Sequence, residues 1–379
     1  MRLNELRIRH FRNLADQELS LPAEGVAFVG ENAQGKTNLL EAIYYLETFR
    51  SFRAARDERL VSFGQGFFRV VGTLVGDAGE GGEGSRSQVE VAAAFEAKGK
   101  RKKITLDGQE PQRLGDGLGR VGAVIFSPAD VALVSDGPGA RRRFLDIVLS
   151  LNAPGYLTAL QRFRQVLSQR NAALRDGGGS GTVEAWDLGL VESGALVMEE
   201  RLRWVERWGG KFSSYYRRIS GARAGCVQYQ PGVKLGSAGG REEIAGAFRE
   251  ALRESRERER RVGSTVVGPQ RDDLLLTVTE GGEARDLREY GSGGQKRTAS
   301  LALRLVEAAT IREARRQEPI VLMDDVFAEL DPGRSERVMA LMEEEESGQV
   351  LLTAPKESDI RLRRDALPRW RIRGGVVES

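Results

Sequence analysis

Apolar and polar residues alternate over 3–8 and again over 16–21. That pattern predicts two strands with one wet face, joined as an antiparallel hairpin. A continuous apolar run over 25–29 follows and reads as a buried strand. Over 38–46 the period changes, and Leu39, Leu40, Ile43 and Leu46 fall on one side of a helix. Strand-like runs return at 67–75, 88–95 and 104–106. Between the first two, 76–85 is too rich in glycine to bury a core and reads as a flexible hairpin tip. The run 121–126 has the composition of a buried strand. From 144 to about 211 the pattern is helical, broken at 177–181, without the sustained heptads of a long coiled coil. Residues 249–261 alternate acid and base along a helix, most simply a solvated face. A strand at 274–278, a helix carrying Leu301, Leu303, Leu305 and Val306, and strands at 320–325 and 350–353 complete the pattern. It describes an α/β protein: one α/β lobe in two parts, 1–125 and 266–379, around a mainly helical lobe at 126–265.

The apolar positions place one motif where it is chemically meaningful. Gly30-Glu31-Asn32-Ala33-Gln34-Gly35-Lys36-Thr37 fits G-x-x-x-x-G-K-[ST], between the buried strand and the helix that begins with Asn38. Free backbone N–H groups and the positive end of the helix dipole converge there, which suits a phosphate chain. Lys36 would reach the β- and γ-phosphates, and the Thr37 hydroxyl would ligate Mg²⁺. Ile320-Val321-Leu322-Met323-Asp324-Asp325 has the Walker B form, a buried strand delivering two acids to its C-terminal end. Asp324 would hold Mg²⁺ in its outer shell, and Asp325 would polarise the attacking water. Thr353 ends the next strand near the γ-phosphate. Tyr290-Gly291-Ser292-Gly293-Gly294-Gln295 opens a helix and forms a second anion cradle. Two cradles so far apart suggest that two chains share each nucleotide. Gly268-Pro269-Gln270-Arg271-Asp272-Asp273 is read as a further part of the nucleotide site.

Composition narrows the partners. Among 379 residues the formal charge is only +3, so any nucleic-acid contact must come from local patches. The densest basic stretch is 98–103, with Lys100, Arg101, Lys102 and Lys103; Arg141, Arg142 and Arg143 open a helix against its dipole. Both stretches, and the tail arginines Arg361, Arg363, Arg364, Arg369, Arg371 and Arg373, read either as solvated charge or as DNA backbone contacts. Arg12 is either a solvated turn residue or a cation over the nucleotide. Cys226 and His10 are the single cysteine and histidine, so intrachain disulfides, zinc sites and histidine nucleophile chemistry lack material. No run approaches the ~18 apolar residues of a membrane span, and the charged start carries no signal-peptide core. A cytoplasmic protein is expected.

The order of phosphate loop, serine-glycine signature and Walker B, with a large insert, resembles the SMC-type heads of the ABC ATPases. Along nearly its whole length the chain resembles the RecF family. The likeness rests on Phe11-Arg12-Asn13, the extended run 30–43, Arg50-Ser51-Phe52-Arg53, Phe126-Ser127-Pro128, Arg142-Arg143-Phe144-Leu145-Asp146, Gly268-Pro269-Gln270-Arg271-Asp272-Asp273-Leu274 and the run 324–331. The resemblance implies a DNA-binding ATPase that dimerises on ATP and recognises gapped DNA at single-strand/double-strand junctions. It further implies action with RecO and RecR in loading RecA onto strands covered by single-strand-binding protein. It carries ATP·Mg binding and hydrolysis to Lys36, Thr37, Asp324 and Asp325, and a γ-phosphate contact in the partner's site to Ser292. Gln270 stands where the family more often has histidine. Asp325 and Thr353 stand where most ABC ATPases carry glutamate and histidine, which implies slow turnover suited to a switch. The other readings are a different SMC-like head, a transporter ATPase, and a DNA clamp that binds ATP without hydrolysing it.

Overall fold

The computed structural model describes residues 1–76, 88–177, 180–221, 223–236, 239–345, 348–357 and 367–379. Within 76–85, the glycine-rich stretch expected to be a hairpin tip, residues 77–85 lie outside the described residues, as do Arg361, Arg363 and Arg364.

In chain order the first strands are β1 (Arg2–Arg9), β2 (Gln17–Ser20) and β3 (Gly25–Val29), followed by α1 (Lys36–Thr48). Next come β4 (Phe67–Val75), β5 (Gln88–Glu96), β6 (Arg101–Leu106) and β7 (Ala123–Phe126). Helices α2 (Ala132–Ser135), α3 (Pro138–Asn152), α4 (Tyr156–Arg175), α5 (Ser180–Glu184) and α6 (Asp187–Ser220) precede β8 (Gly225–Gln230) and α7 (Arg241–Val262). The chain continues through β9 (Asp273–Glu280), β10 (Glu283–Asp286), α8 (Leu287–Tyr290) and α9 (Gly293–Arg315). It closes with β11 (Ile320–Asp324), α10 (Pro332–Glu344), β12 (Val350–Ala354), β13 (Arg369–Arg373) and β14 (Val376–Glu378).

The chain divides into two compact units: Met1–Asp130 with Glu307–Ser379, and Val131–Val306. The first holds two sheets. One is antiparallel, in the order β2-β1-β4-β5-β6. The other runs β14-β13-β3-β12-β11-β7, with β13, β3, β12, β11 and β7 parallel. Helix α1 packs against strands of both. Its Leu39, Leu40, Ile43 and Leu46 are fully buried, and burying each such side chain contributes ~1.5–3 kcal/mol. Strands β3 and β12, beside the phosphate loop, are buried at every position and, Thr353 apart, carry no polar side chain, because both faces of the sheet are covered.

In the second unit, Phe163 of α4, Leu190 and Met198 of α6, and Ile244, Phe248 and Leu252 of α7 share one core. Gly194 makes this possible, since a Cβ there would lie 2.7 Å from the Phe248 ring. The return to the ATPase unit comes later than the expected residue 266. Strand β9 pairs with β8 and packs on α3, which keeps 266–306 in the second unit.

Candidate nucleotide site

Three parallel strands end side by side, with Asp324 opposite Thr353, and Thr353 opposite Phe28. The phosphate loop leaves β3 at Gly30. Ala33 has φ 66° and Gly35 φ 112°, so the backbone turns through left-handed conformations before α1 starts at Lys36. The N–H groups of Glu31, Asn32, Ala33, Gln34 and Gly35 donate to no acceptor among the described residues. Lys36 is 4% exposed, and its ammonium donates to the carbonyls of Gly30 (2.7 Å) and Glu31 (3.0 Å). An ammonium buried without a carboxylate partner among the described residues, beside unengaged N–H groups, fits an anion.

The acids sit against hydroxyls. Thr37 Oγ1 donates to Asp324 Oδ1 at 2.8 Å, and Thr353 Oγ1 lies 3.1 Å from the same oxygen. Asp325 has φ 47°, its N–H donates to Thr353 Oγ1 at 3.0 Å, and its Oδ1 is 3.4 Å from that hydroxyl. Burial pushes the Asp324 carboxyl above its usual range; the neighbouring Asp325 adds to this, while the Thr37 and Thr353 hydroxyls and the Arg53 charge oppose it. Relative to the unfolded chain, folding shifts Asp324 toward its protonated form. As pH rises from the ordinary carboxylate value through the raised one, ionisation of Asp324 costs stability. Asp324→Asn is therefore expected to raise the nucleotide-free melting temperature at pH 7.5 while removing Mg²⁺-dependent hydrolysis. An unchanged or lower melting temperature would contradict a strained acid.

The loop is braced from two sides. Asn13 Nδ2 donates to the Ala33 carbonyl (3.1 Å), and Asn38 Nδ2 donates to Asn13 Oδ1 (2.7 Å). Gly374 N–H donates to Gln34 Oε1 (2.6 Å) and Gly375 N–H to the Gln34 carbonyl (3.0 Å). Gly375 has φ 84°, and a Cβ there would lie 2.0 Å from the Asn13 carbonyl oxygen. Gly375→Ala would introduce ~1–3 kcal/mol of backbone strain. It is expected to weaken ATP binding about tenfold in a titration while the protein stays folded by circular dichroism.

Arg12 reaches the helix rather than the loop. Its guanidinium binds the fully buried Glu41 through two bonds (2.9 and 3.1 Å), and Ser51 Oγ donates to the same carboxylate. Arg53 donates to Asn38 Oδ1 at 3.2 Å. Together with its charge effect on Asp324, this places Arg53 beside the site. In the sequence Arg53 stands out only within Arg50-Ser51-Phe52-Arg53, one of the runs that carry the family resemblance.

The second cradle lies in the other unit. Ser292 is exposed; Gln295 N–H donates to its Oγ (3.3 Å), and its own N–H donates to Gln295 Oε1 (2.7 Å). Residues 268–274 belong to the second unit, and its internal packing engages both acids of the motif. Asp272 pairs with the buried Arg201 (2.5 Å) and accepts from Gly232 N–H and the Tyr229 hydroxyl. Asp273 holds Arg141 (2.7 and 2.9 Å).

That geometry corrects part of the basic-patch reading. Arg141 is 3% exposed and also donates to the Leu133, Val134 and Asp136 carbonyls, so it is not a surface cation. Arg142 donates to the Asp272 carbonyl, whereas Arg143 is exposed. Lys102 points inward to the Phe49 carbonyl and Asp57, both at 2.7 Å. Lys100 pairs with Glu58 and Lys103 with Glu110, both at the surface, and Arg101 is exposed. Arg101, Lys102 and Lys103 lie on β6, not in a loop, so alternate residues face opposite ways.

Phosphate loop, Walker B acids and signature serine on this strand order define an ABC-type ATPase head of the SMC kind, with a mainly helical second lobe. The family described as RecF/RecN/SMC N-terminal domain matches residues 2–367. The DNA replication and repair protein RecF of Synechococcus sp. (strain JA-2-3B'a(2-13)) is 38% identical over 351 residues, 91% of this chain and 89% of that protein. The protein of the same name from Geobacter sp. (strain M21) is 37% identical over 93% of each chain. A solved structure of the recombination mediator protein RecF with ATP, of the RecFOR pathway, superposes with a TM-score of 0.87 at 30% identity, covering 99% of this chain and 96% of that one. The Smc head domain of Pyrococcus furiosus shares the fold, with a TM-score of 0.57 at 17% identity over 99% and 95%. The chain belongs to the RecF family. No helix among the described residues is long and apolar enough to cross a membrane.

Proposed function

We propose that this protein is an ATP-dependent DNA-binding switch of recombinational repair. In this reading it binds ATP·Mg, dimerises around two nucleotides, grips gapped DNA at single-strand/double-strand junctions, and acts with RecO and RecR to promote RecA loading. The observation that carries the reading is the cluster of Lys36, Thr37, Asp324, Asp325 and Thr353 at the ends of adjacent parallel strands. Bound Mg²⁺ would offset the developing phosphate charge. Thr37 and Asp324 would hold it, Lys36 and the loop N–H groups would hold the phosphates, and Asp325 would orient water. Arg12 acts on this site through Glu41 on α1. Asp325 is one methylene shorter than glutamate and is already engaged by Thr353, which favours slow, DNA-stimulated turnover. The repair role follows from what the RecF relatives are named for.

A mixing experiment tests the shared-nucleotide part. Lys36→Ala and Ser292→Arg chains are each expected to be inactive. Mixed, they form dimers in which one of the two sites has both cradles intact, and about half of the wild-type ATPase rate per such dimer returns. Mixtures as inactive as either chain alone would rule out a site shared between chains.

A further inference from the structure

The outer face of the antiparallel sheet carries an arrangement that the nucleotide site does not use. On β1, Glu5, Arg7 and Arg9 point away from the core, whereas Leu6 and Ile8 are buried. The register places Arg9 directly opposite Arg69 of β4, Arg69 opposite Ala94 of β5, and Ala94 opposite Lys103 of β6. One row across four strands thus reads Arg, Arg, Ala, Lys on a single face. Adjacent strands lie ~4.8 Å apart, so the row spans roughly 14 Å. Like charges directly opposite each other in an antiparallel pair are destabilising, yet neither Arg9 nor Arg69 has an acidic partner among the described residues. The next row toward the β1 C-terminus holds Phe67, Glu96 and Arg101.

Charge is sorted along the strands in the main, Glu96 being the acid at the basic end and Arg7 the base at the other. At the other end of the same face stand Glu5, Glu18 and Glu90, where Glu5 raises the pKa of Glu18 and Glu90 pairs with Arg7 at 2.5 Å. The basic end adjoins an aromatic tip. Phe63 is fully exposed, Phe67 is 41% exposed, and the His10 ring stands edge-on to Phe67 at 5.0 Å. The tip is a built loop: Val61 bridges Phe11, Ser62 N–H donates to the His10 carbonyl (2.8 Å), and Ala97 N–H donates to the Gly66 carbonyl (2.9 Å). A fully exposed phenylalanine on a pinned loop beside unpaired arginines matches what a nucleic-acid strand offers, phosphates in a line and a base with a free face.

We propose that this sheet face is a DNA surface: Arg9, Arg69, Lys103 and Arg101 follow the phosphates, and Phe63 stacks on an unpaired base where duplex gives way to single strand. The proposal rests on the DNA-binding reading above and names the surface for it. Lys103 would exchange its exposed partner Glu110 for phosphate, since exposed pairs of that kind contribute little. Ala94, in the middle of the row, leaves room for a backbone to approach.

The experiment is binding of full-length protein with ATP·Mg to a labelled gapped duplex and to a fully paired duplex of equal length, across a salt series. Arg9→Gln with Arg69→Gln is expected to weaken both duplexes at least tenfold and to lower the log–log salt slope by roughly 1–2. Phe63→Ala is expected to weaken the gapped duplex about tenfold and leave the paired one within twofold, with Phe63→Trp restoring the difference. All these side chains are exposed, so no melting temperature should fall, and relief of the Arg9–Arg69 repulsion should leave the arginine double variant at or slightly above the wild-type value. If the arginine double variant keeps wild-type affinity and slope while wild type binds DNA, the surface is wrong and the DNA-binding reading survives. Loss of ATP-dependent dimerisation in Phe63→Ala without a change in DNA preference would place the tip in a protein contact and overturn its role. A wild-type protein that binds neither duplex overturns both.

Discussion

Replacing Asp325 with asparagine is expected to lower the rate of ATP hydrolysis about 10²–10⁴-fold, the usual contribution of a positioned base, with ATP affinity changed less than threefold. Asn keeps the shape and still offers an oxygen toward Thr353 Oγ1, now 3.4 Å from Asp325 Oδ1. The backbone N–H at 325 would still donate to that hydroxyl. What disappears is the carboxylate able to accept a proton from water. Nucleotide should then remain bound for longer, and a switch that releases DNA on hydrolysis should stay closed. Single-turnover kinetics beside an equilibrium titration separates the two effects. An equal loss of affinity and rate would mean that Asp325 acts through binding, and an unchanged rate would favour a clamp that holds ATP without using this acid.

The second large effect is on stability. Arg201, 2% exposed on α6, donates to Asp272 (2.5 Å), Asp146 (2.8 Å) and the Pro269 carbonyl (2.8 Å). It joins α3, α6 and the turn before β9 at one point. Arg201→Met leaves two acids without their shared cation, and removing one partner of a buried pair costs about 3–5 kcal/mol. The loss should depend on pH. Burial already raises the Asp272 pKa, and the Arg201 charge is the largest effect holding it down. Without Arg201 the carboxyl rises further and takes up a proton as pH falls, which relieves the buried charge. The variant's deficit should therefore be smaller at pH 5.5 than at pH 8. Urea unfolding followed by tryptophan fluorescence reads this directly, because Trp186, Trp204 and Trp208 all lie in the second unit. A deficit below 1 kcal/mol, or one that grows in acid, would contradict the assignment.

Much of the site was legible because its chemistry is local in sequence. A glycine loop must join a strand to a helix, and paired acids must end an apolar strand, so 30–37 and 320–325 announced their geometry. The hairpin of β1 and β2 followed from alternation, β4 and β5 from strand-like runs, and β11 from a continuous apolar run. What escaped depends on distant partners. The tail read as a basic strip, yet alternation at Arg369, Trp370, Arg371, Ile372 and Arg373 makes β13, and the turn after it contacts Gln34 some 340 residues earlier. Arg141 looked like a surface charge because its partner Asp273 is 132 residues away. Helix α10 left no separate signal although Asp331 caps it, accepting from Arg334 N–H at 2.9 Å, because Asp331 stands out only within the run 324–331 that carries the family resemblance. The second lobe extends to Val306 because β9 pairs with β8, and no local pattern records that pairing.

The central claim is that ATP joins two chains and that the joined form holds DNA. The direct test measures mass by light scattering together with affinity for a gapped duplex, with and without ATP·Mg. The account predicts that ATP doubles the mass and tightens DNA binding at least tenfold, and that Ser292→Arg abolishes both changes while leaving ATP bound. Binding of ATP that changes neither mass nor DNA affinity in the wild-type protein would contradict it, and would leave Ser292 as no more than the cap of α9.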